Sequence, residues 1–336
     1  MTYVYVLTST PQDLYYEQCL MSVFSLRLYM PNAKVVILTD NKTNATFIEK
    51  RAELKKIATE IISVDFDDSV GNVERSRIIK TSIPRFIHDD FLYIDCDTVI
   101  CAPLDEIQKN EISFGAVLDG HVPLNEHKHK DYFLKREKRL GFEGTKKNGF
   151  HVNSGVLFFR DCEESRNLFE KWHELWEWGF KTKKDHHDQA ALNEAIYRLH
   201  LKNFLLSGEW NCQLNNGGLM FLKGAKIIHY FSSEFGEKNY LPYYKLADKT
   251  LQQKIKETGV ITEEIVQMLQ DAKFQLTGVQ LVDDKRVAAI LKSPLLSALA
   301  QLKQSHPVVF NNLEVFYEFC FQIRVKLRNI VSRKKG

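Results

Sequence analysis

Short apolar runs rich in β-formers alternate with helical stretches over the first hundred residues, and this alternation restricts the fold more than any other feature of the chain. Residues 3–7, 34–38, 60–64 and 91–94 predict strands. Residues 13–30, with Leu14, Leu20, Val23, Phe24 and Leu28 at helical spacing, predict a helix, as do 43–57 and 73–87. Strands separated by helices build a mostly parallel sheet with right-handed crossovers. Such sheets bind ligands beyond the carboxyl ends of their strands. Those ends carry Thr8-Ser9, Thr39-Asp40, Asp65 and Asp95-Cys96-Asp97.

A fifth strand is expected over 113–118, closing on Asp119. Residues 120–150 are polar and aperiodic, which predicts a mobile lid or a disordered insertion. Strand character returns at 152–159, 204–206 and 226–230, and helices are expected over 162–180 and 186–199. From about residue 246 the β pattern disappears, and 248–272, 284–304 and 311–332 read as helical. The expected organisation is therefore an α/β domain over 1–245 and a helical C-terminal region over 246–336.

The sharpest local feature is Phe91-Leu92-Tyr93-Ile94-Asp95-Cys96-Asp97. Two carboxylates one residue apart at the end of a buried strand form a patch of hard oxygen ligands. That patch suits Mg²⁺ or Mn²⁺, which bind one or two carboxylates and complete their shell with phosphates. A solvated turn is the plainer explanation of any isolated Asp-x-Asp, and three preceding βα units argue against it here. Haloacid-dehalogenase-like phosphatases also carry Asp-x-Asp-x-[Thr/Val], which Asp95 to Val99 fits. Their motif belongs on the first core strand, whereas this one ends the fourth. A nucleotidyltransferase would need a Gly-rich N-terminal loop, and Thr8-Ser-Thr-Pro-Gln is not one.

Several motifs in order along residues 1–240 resemble the retaining glycosyltransferases of family eight, the glycogenin and bacterial lipopolysaccharide galactosyl- and glucosyltransferase group. They are Arg75-Ser-Arg77-Ile-Ile-Lys80, Asp95-Cys-Asp97 followed by Ala102-Pro-Leu-Asp-Glu-Ile107, Val152-Asn-Ser-Gly-Val156, Asp188-Gln189, Trp210-Asn211 and Ile228-His-Tyr-Phe231. The resemblance implies a GT-A fold and metal-dependent transfer of a galactose or glucose from a UDP-sugar to a saccharide or lipid-linked acceptor. It implies Asp95, Asp97 and His229 as metal ligands. Arg77 and Lys80, three apart on one helix face, could hold a diphosphate or sugar hydroxyls, or form a solvated face; for Arg75 the solvated face is expected. Asn153, Ser154 and Gly155 would let the backbone approach the sugar, or mark a bulge. Asp188 would bind donor-sugar hydroxyls or merely cap its helix, and Gln189 would lie beneath the anomeric carbon. Thr8, Tyr15 and Cys96 would border the donor, and Asp119 would contact sugar hydroxyls, with the acceptor among its partners. The family's Gly-x-x-Lys-Pro-Trp run is altered here, leaving Lys238 as its phosphate-binding lysine. A non-catalytic sugar-nucleotide binder is the remaining alternative. The pairs His127/His129 and His186/His187 are expected to be structural, not zinc ligands.

Charge separates the two ends of the chain. The formal net charge is +3, yet residues 322–336 carry six cations and no acid, so the body is weakly acidic. That distribution argues against a nucleic-acid binder, which spreads basic charge over a binding face. The whole tail over 311–336 also holds Phe316, Phe319, Phe321 and Ile323, a composition suited to an anionic membrane surface or to core packing. The N-terminus has no basic region before an apolar run, no stretch is long enough to span a bilayer, and the six cysteines are scattered without CxxC pairs. A cytoplasmic enzyme, peripheral on the inner face of a membrane, is the expectation.

Overall fold

The computed structural model describes residues 1–231, 244–276 and 293–333, with side chains described to residue 324. Strands β1 (Thr2–Leu7), β2 (Lys34–Asp40), β3 (Glu60–Val64) and β4 (Phe91–Ile94) run parallel, and helices α1 (Tyr15–Tyr29) and α4 (Asn72–Thr81) cross between them. The six-stranded sheet has the order β3-β2-β1-β4-β7-β6, with β6 at Phe114–Leu118 and β7 at Val152–Phe159. The sheet is parallel only in its first half, because β7 runs antiparallel to both β4 and β6.

Alternation along β1 shows why these residues pair as strands. Tyr3, Tyr5 and Leu7 enter one core with Cys19 and Leu20 of α1, while Val4 and Val6 enter the opposite core with Ile79 and Trp172. A strand buried on both faces reads as a continuous apolar run, as this one does. The second core is closed by α7 (Glu163–Lys183) and α8 (Gln189–Arg198), whose Leu168, Phe169, Trp172 and Leu192 are buried.

A second sheet was not apparent from sequence. It has three short strands in the order β5-β9-β8: β5 (Thr98–Ile100), β8 (Cys212–Gln213) and β9 (Ile227–His229). Strands of two or three residues are too short for a period-two pattern to register. In this sheet Thr98 pairs with His229, and the backbone N–H of Tyr230 donates to the Asp97 carbonyl at 3.2 Å.

Three expectations are corrected. The helix expected over 43–57 is α2 (Asn41–Ala45), a 3₁₀ turn (Glu49–Arg51) and α3 (Glu53–Ile57), broken where Phe47 packs into the core beside Tyr16. The segment 204–206 forms only an isolated bridge, Leu205 with Ala116. The stretch 120–150 holds two helices, α5 (Lys130–Leu140) and α6 (Gly144–Asn148). Leu140 of α5 joins the second core, and carboxylates anchor the stretch after it: Glu137 accepts from the Lys146 N–H at 3.2 Å, and Glu194 from the N–H groups of Glu143 and Gly144 at 2.9 and 2.8 Å.

The chain divides into two compact units, Met1–Thr277 and Gly278–Gly336, later than the boundary expected near residue 245. Helices α9 (Lys249–Thr258) and α10 (Glu263–Gln270) belong to the first unit, since Leu251, Ile255, Ile265 and Leu269 join the core of α1 and β1. A buried bond from Gln18 Nε2 to Gln252 Oε1, 3.1 Å, ties α1 to α9. The second unit contains α11 (Pro294–Ser305) and α12 (Pro307–Arg333). Among the described residues no helix is long and apolar enough to cross a membrane.

If α9 is part of the first unit, Ile255→Ala should lower global stability by about 2–5 kcal/mol, the usual cost of emptying a buried aliphatic site. Urea unfolding followed by tryptophan fluorescence should show one transition at a lower midpoint. An unchanged main transition would place the helix outside the cooperative unit.

Candidate active site

Three segments converge where β4 leaves the sheet. The Asp95 N–H donates to the Gly155 carbonyl at 2.7 Å, and the Thr98 hydroxyl donates to the Asp95 carbonyl at 2.8 Å, which fixes the turn between β4 and β5. The β5–β9 ladder then sets His229 beside this turn. Ligand atoms of Asp95, Asp97 and His229 lie within 4.8 Å of one another, and His229 Nε2 is 3.3 Å from Asp97 Oδ1. The other ring nitrogen, Nδ1, is 3.0 Å from Asn211 Oδ1. That bond assigns the Nδ1 proton and leaves Nε2 facing the carboxylates. Burial alone would lower the His229 pKa, but the adjacent Asp97 charge and hydrogen bond outweigh it and hold it above the ordinary value.

Gly155 explains how these groups meet. The pairing of β6 with β7 shifts register between Ala116 and Val117, so 154–156 lie in a bulge. A Cβ at Gly155 would stand 2.8 Å from Asp95 Oδ2 and closer still to the His229 ring. The bulge expected as one alternative is present, and it brings the backbone close to Asp95 and His229.

A buried ion-pair cluster adjoins the triad. Lys80 Nζ lies 3.3 Å from Asp95 Oδ1, 3.3 Å from Ser154 Oγ and 3.5 Å from Asp188 Oδ2. Arg77 Nε is 3.3 Å from Asp188 Oδ1. Both cations are on α4, and both turn inward, away from a solvated face. Asp188 sits at the N-terminus of α8 but makes no capping bond. Burial raises its pKa, and Lys80 and Arg77 overcome that, so the carboxyl is pushed down to about 2. Arg75 departs from expectation: it is 4% exposed and pairs with Asp40 Oδ1 at 3.5 Å, also bonding Val70 and Asn72, so it is a structural residue and not a solvated one.

Asp119, at the end of β6, is engaged by four side chains. Oδ1 accepts from Asn216 Nδ2 at 2.7 Å and faces His127 Nε2 at 3.0 Å. Oδ2 accepts from Gln189 Nε2 at 2.6 Å and Asn153 Nδ2 at 3.2 Å. Burial raises its pKa, but the His127 bond foremost, then the field of His151 and the amide bonds, hold the carboxyl below the usual range. Asn153 continues the network. Its Oδ1 accepts from the Gly155 N–H and from Asn211 Nδ2, both at 2.9 Å.

These groups line one cleft of about 800 Å³. Thr8, Tyr15, Arg77, Lys80, Asp95, Cys96, Asp97, Asp119, Asn153, Ser154, Gly155, Asp188, Gln189 and His229 all border it. Tyr15 is half exposed there, and the Cys96 thiol donates to the Val6 carbonyl at 3.4 Å. Lys238 lies outside the described residues. Asn211, Asn216 and His127 were not assigned roles from sequence. Asn211 stands in the Trp-Asn motif, which marked it without saying what it touches, and nothing in the local pattern marks Asn216. His127, expected to be a structural residue and not a zinc ligand, is buried with Nε2 3.0 Å from Asp119 Oδ1. Among the described residues the only group of three potential metal ligands is Asp95, Asp97 and His229.

No curated protein sequence matches the chain. Of the solved structures, the galactosyltransferase LgtC, in complex with donor and acceptor sugar analogues, is 16% identical and superposes with a TM-score of 0.50, over 79% of this chain and 98% of that one. Mouse xyloside xylosyltransferase 1 in its apo form is 12% identical, with a TM-score of 0.46 over 68% and 97%. The glycosyltransferase GlyE of Streptococcus pneumoniae TIGR4 is 16% identical, with a TM-score of 0.47 over 83% and 66%. The LgtC likeness shows a shared GT-A fold. Residues 8–235 match the profile of glycosyl transferase family 8, well over half of the chain, and the protein belongs to that family.

Proposed function

We propose that this glycosyltransferase moves a galactose or glucose from a UDP-sugar to a hydroxyl of a saccharide or lipid-linked acceptor, with retention at the anomeric carbon. Family membership sets the phosphatase alternative aside. The observation that carries the reading is the convergence of Asp95, Asp97 and His229 beside the Lys80–Asp188 pair in one cleft.

The triad fits a divalent cation. Two carboxylates and one imidazole suit Mn²⁺ or Mg²⁺, and the missing side chain at Gly155 leaves the space between the ligands open. Such an ion neutralises charge on the departing diphosphate. The protein's own groups do the remaining work. Arg77 and Lys80 supply positive charge on the side of the donor, with Lys238 as a further phosphate contact. Asp188, held ionised by both cations, accepts bonds from donor-sugar hydroxyls. Thr8, Tyr15 and Cys96 border the nucleotide, and Asn153, Ser154 and Gly155 bring backbone against the sugar. Gln189 presents its amide oxygen beneath the anomeric carbon.

The electrostatics favour retention. Inversion requires a base to take the acceptor proton. Asp119 and Asp188 are poor bases: their pKa values are lowered, and hydrogen bonds or ion pairs engage their oxygens. In front-face attack the leaving phosphate takes that proton instead, and Gln189 supports the positive charge that develops on the sugar.

The tail supports a membrane-linked acceptor. On α12, Val308, Phe316, Tyr317 and Phe319 are 64–72% exposed, and six cations follow within 322–336. Exposed aromatics beside clustered cations suit the headgroup region of an anionic membrane, as in lipopolysaccharide-type synthesis at the cytoplasmic face.

Four experiments test the reading. Mn²⁺-dependent thermal stabilisation by UDP-galactose or UDP-glucose should disappear in Asp95→Asn and Asp97→Asn. Transfer should stop in EDTA and return with Mn²⁺, and Asn211→Ala should weaken Mn²⁺ binding by about 10–100-fold. Undiminished transfer in EDTA would refute the metal assignment. For the tail, vesicles with anionic lipid should sediment the whole chain but not a form ending at residue 310; equal sedimentation would remove the membrane role.

A further inference from the structure

Buried beside the cleft is an imidazole that the reaction as proposed leaves idle. His127 is 5% exposed, in the connection between β6 and α5. Its Nδ1 accepts the backbone N–H of His129 at 2.9 Å. A neutral imidazole that accepts at one nitrogen carries its proton on the other. His127 therefore donates from Nε2 to Asp119 Oδ1, 3.0 Å away.

This donation decides how Asp119 is used. With His127 and Asn216 both on Oδ1, Oδ2 is turned to the amides of Gln189 and Asn153. The Gln189 amide is thereby oriented: its nitrogen points at Asp119, and its oxygen points the other way. Gly120 shows that the fold makes room for this contact. Its φ is +66°, and a Cβ there would come within 2.6 Å of His127 Nε2. A side chain at 120 would push the ring off Asp119.

We propose that His127 is a positioning residue for glycosyl transfer: by holding Asp119 it orients the Gln189 amide oxygen toward the reacting sugar. The proposal rests on the role assigned to Gln189 above. It gives the connection between β6 and α5 a part in the reaction without contact to substrate.

The test is steady-state kinetics of the full chain with UDP-galactose or UDP-glucose and Mn²⁺, using the acceptor that supports transfer or, failing one, water. His127→Ala should lower kcat by about 10–100-fold, as loss of an orienting outer partner does, while donor KM and Mn²⁺ affinity change less than about twofold. His127→Gln, which can place an N–H near the position of Nε2, should recover most of kcat; His127→Asn, one methylene shorter, should not. In a Gln189→Ala background, His127→Ala should cost little more, because residues acting through one another are not additive. A wild-type kcat in Gln189→Ala would overturn the role of Gln189 and the route through it. With Gln189→Ala impaired, an equal further loss from His127→Ala would overturn the positioning role alone. If His127→Ala does not fold, the Gln and Asn variants decide: equal rates in the two refute the proposal.

Discussion

The buried amide of Asn153 is the contact on which both halves of the site depend. Its oxygen accepts the Gly155 N–H and the Asn211 amide; its nitrogen donates to Asp119. Through Asn211 it reaches His229 on the short second sheet, and through Asp119 it reaches Gln189 on α8. One side chain thus fixes the imidazole tautomer on one side and a carboxylate orientation on the other. Both polar atoms of the Asn153 amide are engaged, and a satisfied buried amide stabilises a unique arrangement.

Charge burial has a similar logic. Lys80 is almost fully buried, and bringing an ammonium out of water is costly unless anions surround it. Asp95 and Asp188 do so from two sides, and the face of Tyr93 lies 4.8 Å from the same nitrogen. The cluster is therefore pre-formed: its cations are already ordered by the protein's own carboxylates.

Much of this was legible in the sequence because strand ends announce themselves. The acids closing β2, β4 and β6 are all visible as breaks in apolar runs. What a strand end does was not legible. Asp40 serves structure, accepting from Thr43 and pairing with Arg75, whereas Asp95 faces the cleft. Both neighbouring cations, Arg75 and Lys80, come from α4, and the difference depends on which carboxylate borders the cleft, a fact of three-dimensional packing. Asn211, Asn216 and His127 were illegible for a related reason. Asn211 and Asn216 touch other side chains across long sequence separations, and His127 meets Asp119 through an irregular connection; no periodicity marks such contacts. Helix α5 was hidden because its short apolar face, with Leu140 in the core, is set among many charged residues.

The second sheet carries a further consequence for biosynthesis. Asp95 and Asp97 leave the ribosome more than a hundred residues before His229, the residue that completes their triad. The parallel half of the main sheet is complete in sequence by then, but β9 is not yet made. Asp95, Asp97 and His229 come together only when this late strand pairs with β5, so the group forms once most of the first compact unit has been synthesised.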